Sequence, residues 1–170
     1  KLAIPRDHYI PWYRQFGALM QYLFQRKGPF SISPLEVVAF ENLENPGKRA
    51  NFQFHFACMT AGKGYDYDMY DMDTYPYYDG FTILPSLVNP KSVGYVGLRS
   101  SNPLDAPLIQ PNFLSEETDL KQLVRGGRRA LEIIEQPAFD HFRKEIVAPP
   151  YGTSDDEIIA HIKKSVETIY

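Results

Sequence analysis

The apolar positions of this chain follow two periodicities, and each predicts a different kind of element. Apolar side chains recur at three- and four-residue steps over residues 12–25, 115–134 and 154–169, which predicts three helices. The first helix has an apolar stripe that we expect to pack on a core. The stripe consists of Tyr13, Phe16, Leu19, Met20 and Leu23. Pro137 ends the second helix, because proline has no N–H and its ring disturbs the preceding turn.

The second and third helices carry further local signals. Ser115 is expected to cap the second helix with its hydroxyl, and Ser154 with Glu157 forms a capping box at the start of the third. Gly126 and Gly127 lie inside the second helix, where the missing side chains favour close approach of a neighbouring element. We therefore interpret the glycine pair as a packing site and not as a dinucleotide-binding loop.

Alternation of polar and apolar positions predicts strands between the helices. The clearest run is residues 51–56, in which three phenylalanines share one face while Gln53 and His55 share the other. His55 therefore faces either solvent or a pocket. Further strands are predicted at residues 37–40, 81–87 and 93–99.

Breaker residues limit the regular structure around these strands. Pro85 lies inside the run 81–87, which indicates an edge or bulged strand. Residues 100–112 hold three prolines and two asparagines, which is too many for a regular element. Strands and helices do not alternate in the βαβ manner. We therefore expect an α+β fold with an antiparallel sheet of about four to six strands and helices packed on one face.

The composition is ordinary for a globular domain and argues against several functions. The chain has 170 residues, which suits one domain or a piece of a larger protein. Its net charge of −3 argues against nucleic-acid binding. Cys58 is the only cysteine, so no internal disulfide is expected, and we interpret it as a small buried residue. No apolar run is long enough to span a membrane.

The N-terminus gives no information on targeting. The chain begins at Lys1 without methionine and has no signal-peptide pattern, so we interpret the native start as absent. The compartment stays open, with the cytoplasm favoured. The oligomeric state is open as well.

Residues 62–80 are rich in tyrosine and aspartate and too polar for a core. A long surface loop is the simplest interpretation, and a lid or a protein contact is the second, because long loops are often functional. Calcium binding is the third, although the spacing lacks the glycine and glutamate of an EF-hand loop. The segment supports an alternative function for the chain, a free-standing α+β module that binds a ligand or a protein through residues 62–80.

The chain carries no complete set of catalytic residues. It has no G-x-G-x-x-G loop after a strand, no nucleophile elbow and no zinc-ligand spacing. The four histidines lie far apart in the sequence. No metal site and no cofactor bound to this chain are therefore predicted.

Three ordered motifs resemble the C-terminal part of the glucose–methanol–choline (GMC) oxidoreductases. They are N-P-x-S-x-G at residues 89–94, L-x-S-x-N-P at 98–103 and P-x-I-x-P-N-F-L-S at 107–115, with Asp119 as the acidic residue that follows. The run NFQFHF at residues 51–56, with YDMDT and GFT after it, resembles the choline-oxidising members. Val93 is a departure, because the family usually has arginine there.

The resemblance implies that residues 1–170 are a single substrate-binding (cap) domain of an FAD-dependent, choline dehydrogenase-like enzyme. Such an enzyme oxidises an alcohol to an aldehyde by hydride transfer to the flavin. It implies that the parent protein holds FAD in a separate FAD-binding domain that this chain lacks. The family's catalytic histidine is expected immediately after Tyr170, so this chain has no catalytic residue. The isolated chain is expected to bind no flavin and to be inactive.

The resemblance also points to four residues of the substrate pocket. His55 lies where choline-oxidising relatives have a substrate-contacting histidine, and a structural polar residue on the sheet is the alternative. Ile169 and Tyr170 are expected to line the pocket beside the missing histidine. Leu35 stands where those relatives place a tryptophan, which weakens an aromatic cage for choline. We therefore expect a different primary alcohol, uncharged or longer.

Overall fold

The computed structural model describes residues 11–31, 33, 35–60, 68, 71, 74–76, 80–147 and 154–168. The helices in these ranges are α1 (Trp12–Gln25), α2 (Glu117–Ile134) and α3 (Asp155–Ser165). The strands are β1 (Leu35–Glu41), β2 (Phe52–Ala57), β3 (Thr82–Leu87), β4 (Tyr95–Gly97) and β5 (Leu108–Gln110). Short 3-10 turns follow α1 at Pro29–Ser31 and α2 at Pro137–Phe139.

The five strands form two antiparallel sheets. The larger sheet has the order β1-β2-β3, and the smaller consists of β4 and β5. The predicted α+β fold with antiparallel strands is confirmed. Pro85 lies in the edge strand β3, as its sequence context predicts, because proline has no N–H for a second ladder.

Strand β5 lies in the stretch that the breaker residues predicted to be irregular, so that prediction is wrong. Pro107 and Pro111 flank the strand directly. Neither proline has the N–H that a longer ladder requires. They limit β5 to the three residues that pair with β4, which is too short a run for the sequence pattern to indicate.

Helix α2 covers one face of the larger sheet. Phe52 is fully buried, at 0% exposed, and forms the core together with Phe54 and Ala130. Gly126 lies directly against the Phe52 ring, since an added Cβ at this glycine would be 2.5 Å from Cε1 of that ring. The predicted close packing of the glycine pair is therefore confirmed at Gly126, where even a methyl group does not fit without a shift.

The start of α2 differs from the prediction. The helix begins at Glu117 after an N-cap at Glu116, so Ser115 does not cap it. The Glu116 N–H instead donates to the hydroxyl of Ser92 at 3.1 Å. The free N–H groups of a helix start donate to any well-placed oxygen, and here a residue 24 positions earlier in the chain supplies the acceptor.

Helix α1 covers the predicted residues but does not pack on the core as expected. Its apolar stripe is largely exposed, including Tyr13, Phe16 and Leu23, and Ala18 is the one buried residue of this helix. Within the described ranges it mainly contacts the turn that follows it. The periodicity thus predicted an amphipathic helix correctly but not the surface that covers its apolar side.

Helix α3 begins with the predicted capping box, in which the Glu157 carboxylate accepts the Ser154 N–H at 3.0 Å. It ends at Ser165, earlier than the predicted position 169. Its buried residue Ile158 lies beside Gly127 of α2, and Arg128 of α2 donates to Asp155 at the start of α3. These contacts hold α3 against α2.

Candidate functional site

The sheet face opposite α2 carries His55. Directly paired residues on neighbouring strands point to the same face, so Val38, His55 and Leu84 form one row across the sheet. His55 is 4% exposed, which rules out the open-solvent alternative in this structure. Burial lowers its pKa, because the charged imidazolium would lose solvation. The ring is therefore neutral near pH 7.

Leu35 lies on the same face as His55. It pairs with Ala57, which is two residues beyond His55 on β2, and a register shift follows between Leu35 and Val37. The structure thus brings two of the four predicted pocket residues to one sheet face. The other two, Ile169 and Tyr170, lie outside the described residues.

The rest of this face is uncharged along the three strands. Its further members are Phe40, Gln53, Ala57, Thr82 and Ser86. The Thr82 hydroxyl donates to the Met59 carbonyl at 2.8 Å, so it is satisfied within the domain. Val38 is 42% exposed and Phe40 more so, which leaves the face open on the β1 side. The surface therefore offers hydrophobic contact around a neutral histidine.

Cys58 follows β2 directly and is buried, as predicted. Burial raises the pKa of its thiol, and the Glu36 carboxylate raises it further through its charge and a hydrogen bond. Glu36 stands at the register shift of β1, a position that sequence reasoning did not single out. The thiol is protonated at neutral pH, so Cys58 is a structural residue and not a nucleophile.

A second polar centre joins the N-P-x-S-x-G motif to α2. The buried Asp119 carboxylate accepts the N–H of Lys91 at 2.9 Å and the N–H and hydroxyl of Ser92 at 2.7 and 2.6 Å. Burial by itself raises the pKa of Asp119. The hydrogen bonds from Lys91 and Ser92 and the charge of Lys91 outweigh it, so the pKa lies below its ordinary value. Asp119 is ionised at neutral pH and holds residues 91 and 92 against α2.

Sequence reasoning named Ser92 and Asp119 as marks of a resemblance but assigned no contact between them. They are 27 positions apart in the chain. The sequence signal for this contact is that Ser92 and Asp119 both belong to the same ordered set of motifs. The structure indicates that this part of the motif supports the fold, because both side chains are engaged with each other.

The described residues contain no group of three or more His, Cys, Asp or Glu side chains that could hold a metal ion. In the same ranges, no helix combines the length and the hydrophobicity that crossing a membrane requires. Most of segment 62–80 lies outside the described residues. The loop, lid, calcium and binding-module hypotheses that were built on this segment therefore stay predictions.

Comparison with known proteins identifies the family. Residues 90–170 match the family model described as GMC oxidoreductase. This part of the chain, residues 90–170, belongs to the GMC oxidoreductase family. The matched range includes Ser92, Asp119 and most of the motif set, so the predicted resemblance is confirmed.

Two curated relatives align with nearly the whole chain. An alcohol dehydrogenase (acceptor) of Pseudomonas putida is 36% identical over 170 residues. An oxygen-dependent choline dehydrogenase of Vibrio vulnificus is 33% identical over 162 residues. Each alignment covers 95% of this chain but only 28% of the relative. The chain therefore spans less than a third of the length of these relatives.

Two solved formate oxidase structures share the fold of this chain. A variant of the Aspergillus oryzae enzyme has a TM-score of 0.67 at 21% identity and covers 88% of this chain and 30% of that one. A second formate oxidase structure has a TM-score of 0.66 at 20% identity and covers 93% and 31%. At this level of identity the likeness establishes the fold alone.

Proposed function

We propose that this chain is the substrate-binding domain of an FAD-dependent oxidoreductase that converts an alcohol to an aldehyde. The GMC family and the names of the relatives, an alcohol dehydrogenase and a choline dehydrogenase, support the reaction class. The observation that carries the position of the site is the buried, neutral His55 on the sheet face opposite α2. Because the chain spans 28% of these relatives, the rest of the enzyme would lie elsewhere in the parent polypeptide.

Among the described residues, the start of α2 does not fit FAD. The connection from β5 to α2 has no glycine-rich loop. The first turn of α2 carries Glu117 and Asp119, and the Glu116 N–H already binds Ser92, so this helix end would repel a pyrophosphate. The name of one formate oxidase neighbour refers to FAD modification in that enzyme. We therefore expect FAD in the parent enzyme, held by an FAD-binding domain outside this chain, and no alcohol oxidation by the chain alone.

In this proposal His55 contacts the hydroxyl group of the alcohol. A neutral imidazole has one donor and one acceptor nitrogen, so it can hydrogen-bond an alcohol oxygen without adding charge. Val38 and Leu84, which flank it in the row, are aliphatic and keep water from its sides. Leu35 extends the apolar wall, and we propose Ile169 and Tyr170 as the remaining pocket residues. The chain thus binds and orients the alcohol.

The composition of this face favours uncharged alcohols over choline. Quaternary ammonium groups are bound by several aromatic faces. The strand residues of this face provide one aromatic ring, Phe40, and no carboxylate. We therefore propose that the enzyme prefers neutral primary alcohols, such as 1-butanol or benzyl alcohol.

Replacement of His55 in the full-length protein, meaning the natural polypeptide that contains this chain, tests the proposed site. With His55→Gln we expect kcat/KM for 1-butanol to fall about 100-fold, because loss of a positioning hydrogen bond misplaces the alcohol and misplacement by about 1 Å can cost this much. We expect Tm to change little, because glutamine keeps a polar side chain of similar length. His161→Gln is the control, since burial also lowers the pKa of this half-buried histidine on α3.

The rival interpretation of His55 gives the opposite pattern. A structural histidine predicts that His55→Gln lowers Tm while kcat/KM per folded enzyme stays at the wild-type level. A separate result bears on the reaction class. If the full-length protein binds FAD but oxidises none of 1-butanol, benzyl alcohol and choline, the proposed reaction class is wrong.

A further inference from the structure

Residues 93–114, named the arm here, form a hairpin of β4 and β5 that pairs with no other strand in the described part of the chain. A two-stranded hairpin alone is marginally stable in water. The arm also exposes large apolar side chains, among them Val96, Leu98, Leu104 and Ile109. Exposed apolar side chains gathered on one element make this hairpin a candidate interaction surface.

One side of the arm is apolar without interruption. Val96 pairs with Ile109 across the two strands, so both side chains point the same way, and they are 73% and 67% exposed. Leu98 follows β4 directly and is 88% exposed, so it adds apolar surface next to this pair. These three residues are called the Val96 face. The charged residues of the arm, Arg99 and Asp105, lie at its tip and not on this face.

Hydrogen bonds hold the arm in shape at both ends. At the base, the Asn112 side-chain amide donates to the Val93 carbonyl at 3.1 Å. At the tip, the Asp105 carboxylate accepts the Ser100 hydroxyl at 2.6 Å and the Asn102 amide at 2.9 Å. The Val96 face is therefore preorganised, which reduces the entropy that docking would cost.

We propose that the Val96 face docks on the part of the parent polypeptide outside this chain, which under the proposed function contains the FAD-binding domain. The arm lies within residues 90–170, the range that the family model matches. More than two thirds of the length of each curated relative lies outside its alignment with this chain. The corresponding part of the parent polypeptide is long enough to form a domain that covers the Val96 face. Burial of this face would remove its apolar surface from water.

A second copy of this chain is the rival occupant. In a two-fold symmetric dimer, the Val96 face of one copy would pack against the Val96 face of the other. The two occupants differ in one respect that can be measured. The proposed contact lies within one polypeptide, whereas the rival contact joins two.

A photo-crosslinking amino acid at position 109 of the full-length protein distinguishes them. We expect a cross-link within one polypeptide that mass spectrometry maps to residues outside the 170-residue chain. A cross-link between two copies, a cross-link back into this domain or the absence of any cross-link overturns the proposal. FAD content is measured on the same sample. A protein without FAD contradicts the proposed function but leaves the cross-link readable.

Val96→Arg and Val93→Arg provide a matched pair in the same full-length protein. Both valines are highly exposed, but Val93 lies before β4 and takes no part in the Val96–Ile109 pair. The family resemblance also leads us to expect that arginine is accommodated at position 93. We expect Val96→Arg to lower Tm by several degrees and to speed FAD release on warming, while Val93→Arg behaves as wild type. Equal effects of the two variants would overturn docking through the Val96 face.

Discussion

The two faces of the three-stranded sheet differ in what covers them. One face meets α2, and Phe52 and Phe54 are buried there with Ala130. The other face is open on the β1 side, where Val38 and Phe40 are exposed. The open face nevertheless has an apolar character around the buried His55.

This difference separates residues that stabilise the domain from residues available for binding. Buried aromatic rings dominate core energetics, so the α2 face is expected to tolerate little change. A face that only met water would gain nothing from Val38 and Phe40, because exposed hydrophobic residues there add no packing. Under the proposed function, the substrate and a neighbouring domain would cover these side chains beside His55.

The largest expected effect concerns the α2 face. Phe52→Ala removes a fully buried ring and leaves a cavity, which should cost about 3–5 kcal/mol in the free energy of unfolding. Val38→Ala removes a partly exposed side chain from the open face and should cost less than about 1 kcal/mol. Urea unfolding of both variants measures the difference. Equal losses would mean that the open face is packed as tightly as the α2 face.

The next effect concerns how α2 is anchored to residues 91 and 92. Asp119→Asn replaces a carboxylate that accepts hydrogen bonds from Lys91 and Ser92, and an amide cannot accept all of them. Since hydrogen bonds to a charged group are the stronger ones, we expect a loss of roughly 2–3 kcal/mol at pH 7. The exposed Asp156→Asn on α3 is the control and should change the stability little.

The same variant has a pH signature. The folded pKa of Asp119 lies below its ordinary value of 3.8, so the carboxylate contributes stability above that value and loses it as the pH falls through the folded pKa. Thermal unfolding of wild type and Asp119→Asn between pH 7 and pH 3 should therefore show a gap in Tm that narrows below about pH 4. A gap that stays constant down to pH 3 would show that the charge of Asp119 contributes nothing.

These anchors explain why only part of the fold was predictable from the sequence. The side of β2 on which His55 lies follows from alternation, which is a local property of a strand. The local pattern assigns the cap of α2 to Ser115, whereas Ser92, which is distant in the chain, accepts the hydrogen bond from the Glu116 N–H. The stripe of α1 was assigned to a core and is exposed. Periodicity indicates that a surface is apolar, whereas the partner of that surface depends on tertiary contacts.

The candidate site shows the same limit. The resemblance named His55 and Leu35, but the pairing register of β1 with β2 was needed to put them on one face. A shift of one residue in that register would have sent Leu35 to the α2 face. The short strand β5 escaped prediction because its flanking prolines dominate the local pattern. The pocket roles of Ile169 and Tyr170 stay predictions.

The smallest expected effect compares two adjacent glycines of α2. Replacing either by alanine improves helix propensity by about 1 kcal/mol. At Gly127 the new Cβ would lie 3.8 Å from Ile158 Cγ2, an ordinary contact, so Gly127→Ala should be neutral or slightly stabilising. At Gly126 it would lie 2.5 Å from the Phe52 ring, so Gly126→Ala should be destabilised by about 1–2 kcal/mol despite the propensity gain. If both variants unfold at the same urea concentration, α2 can move away from Phe52 at no cost, and the α2 face is less rigid than its burial implies.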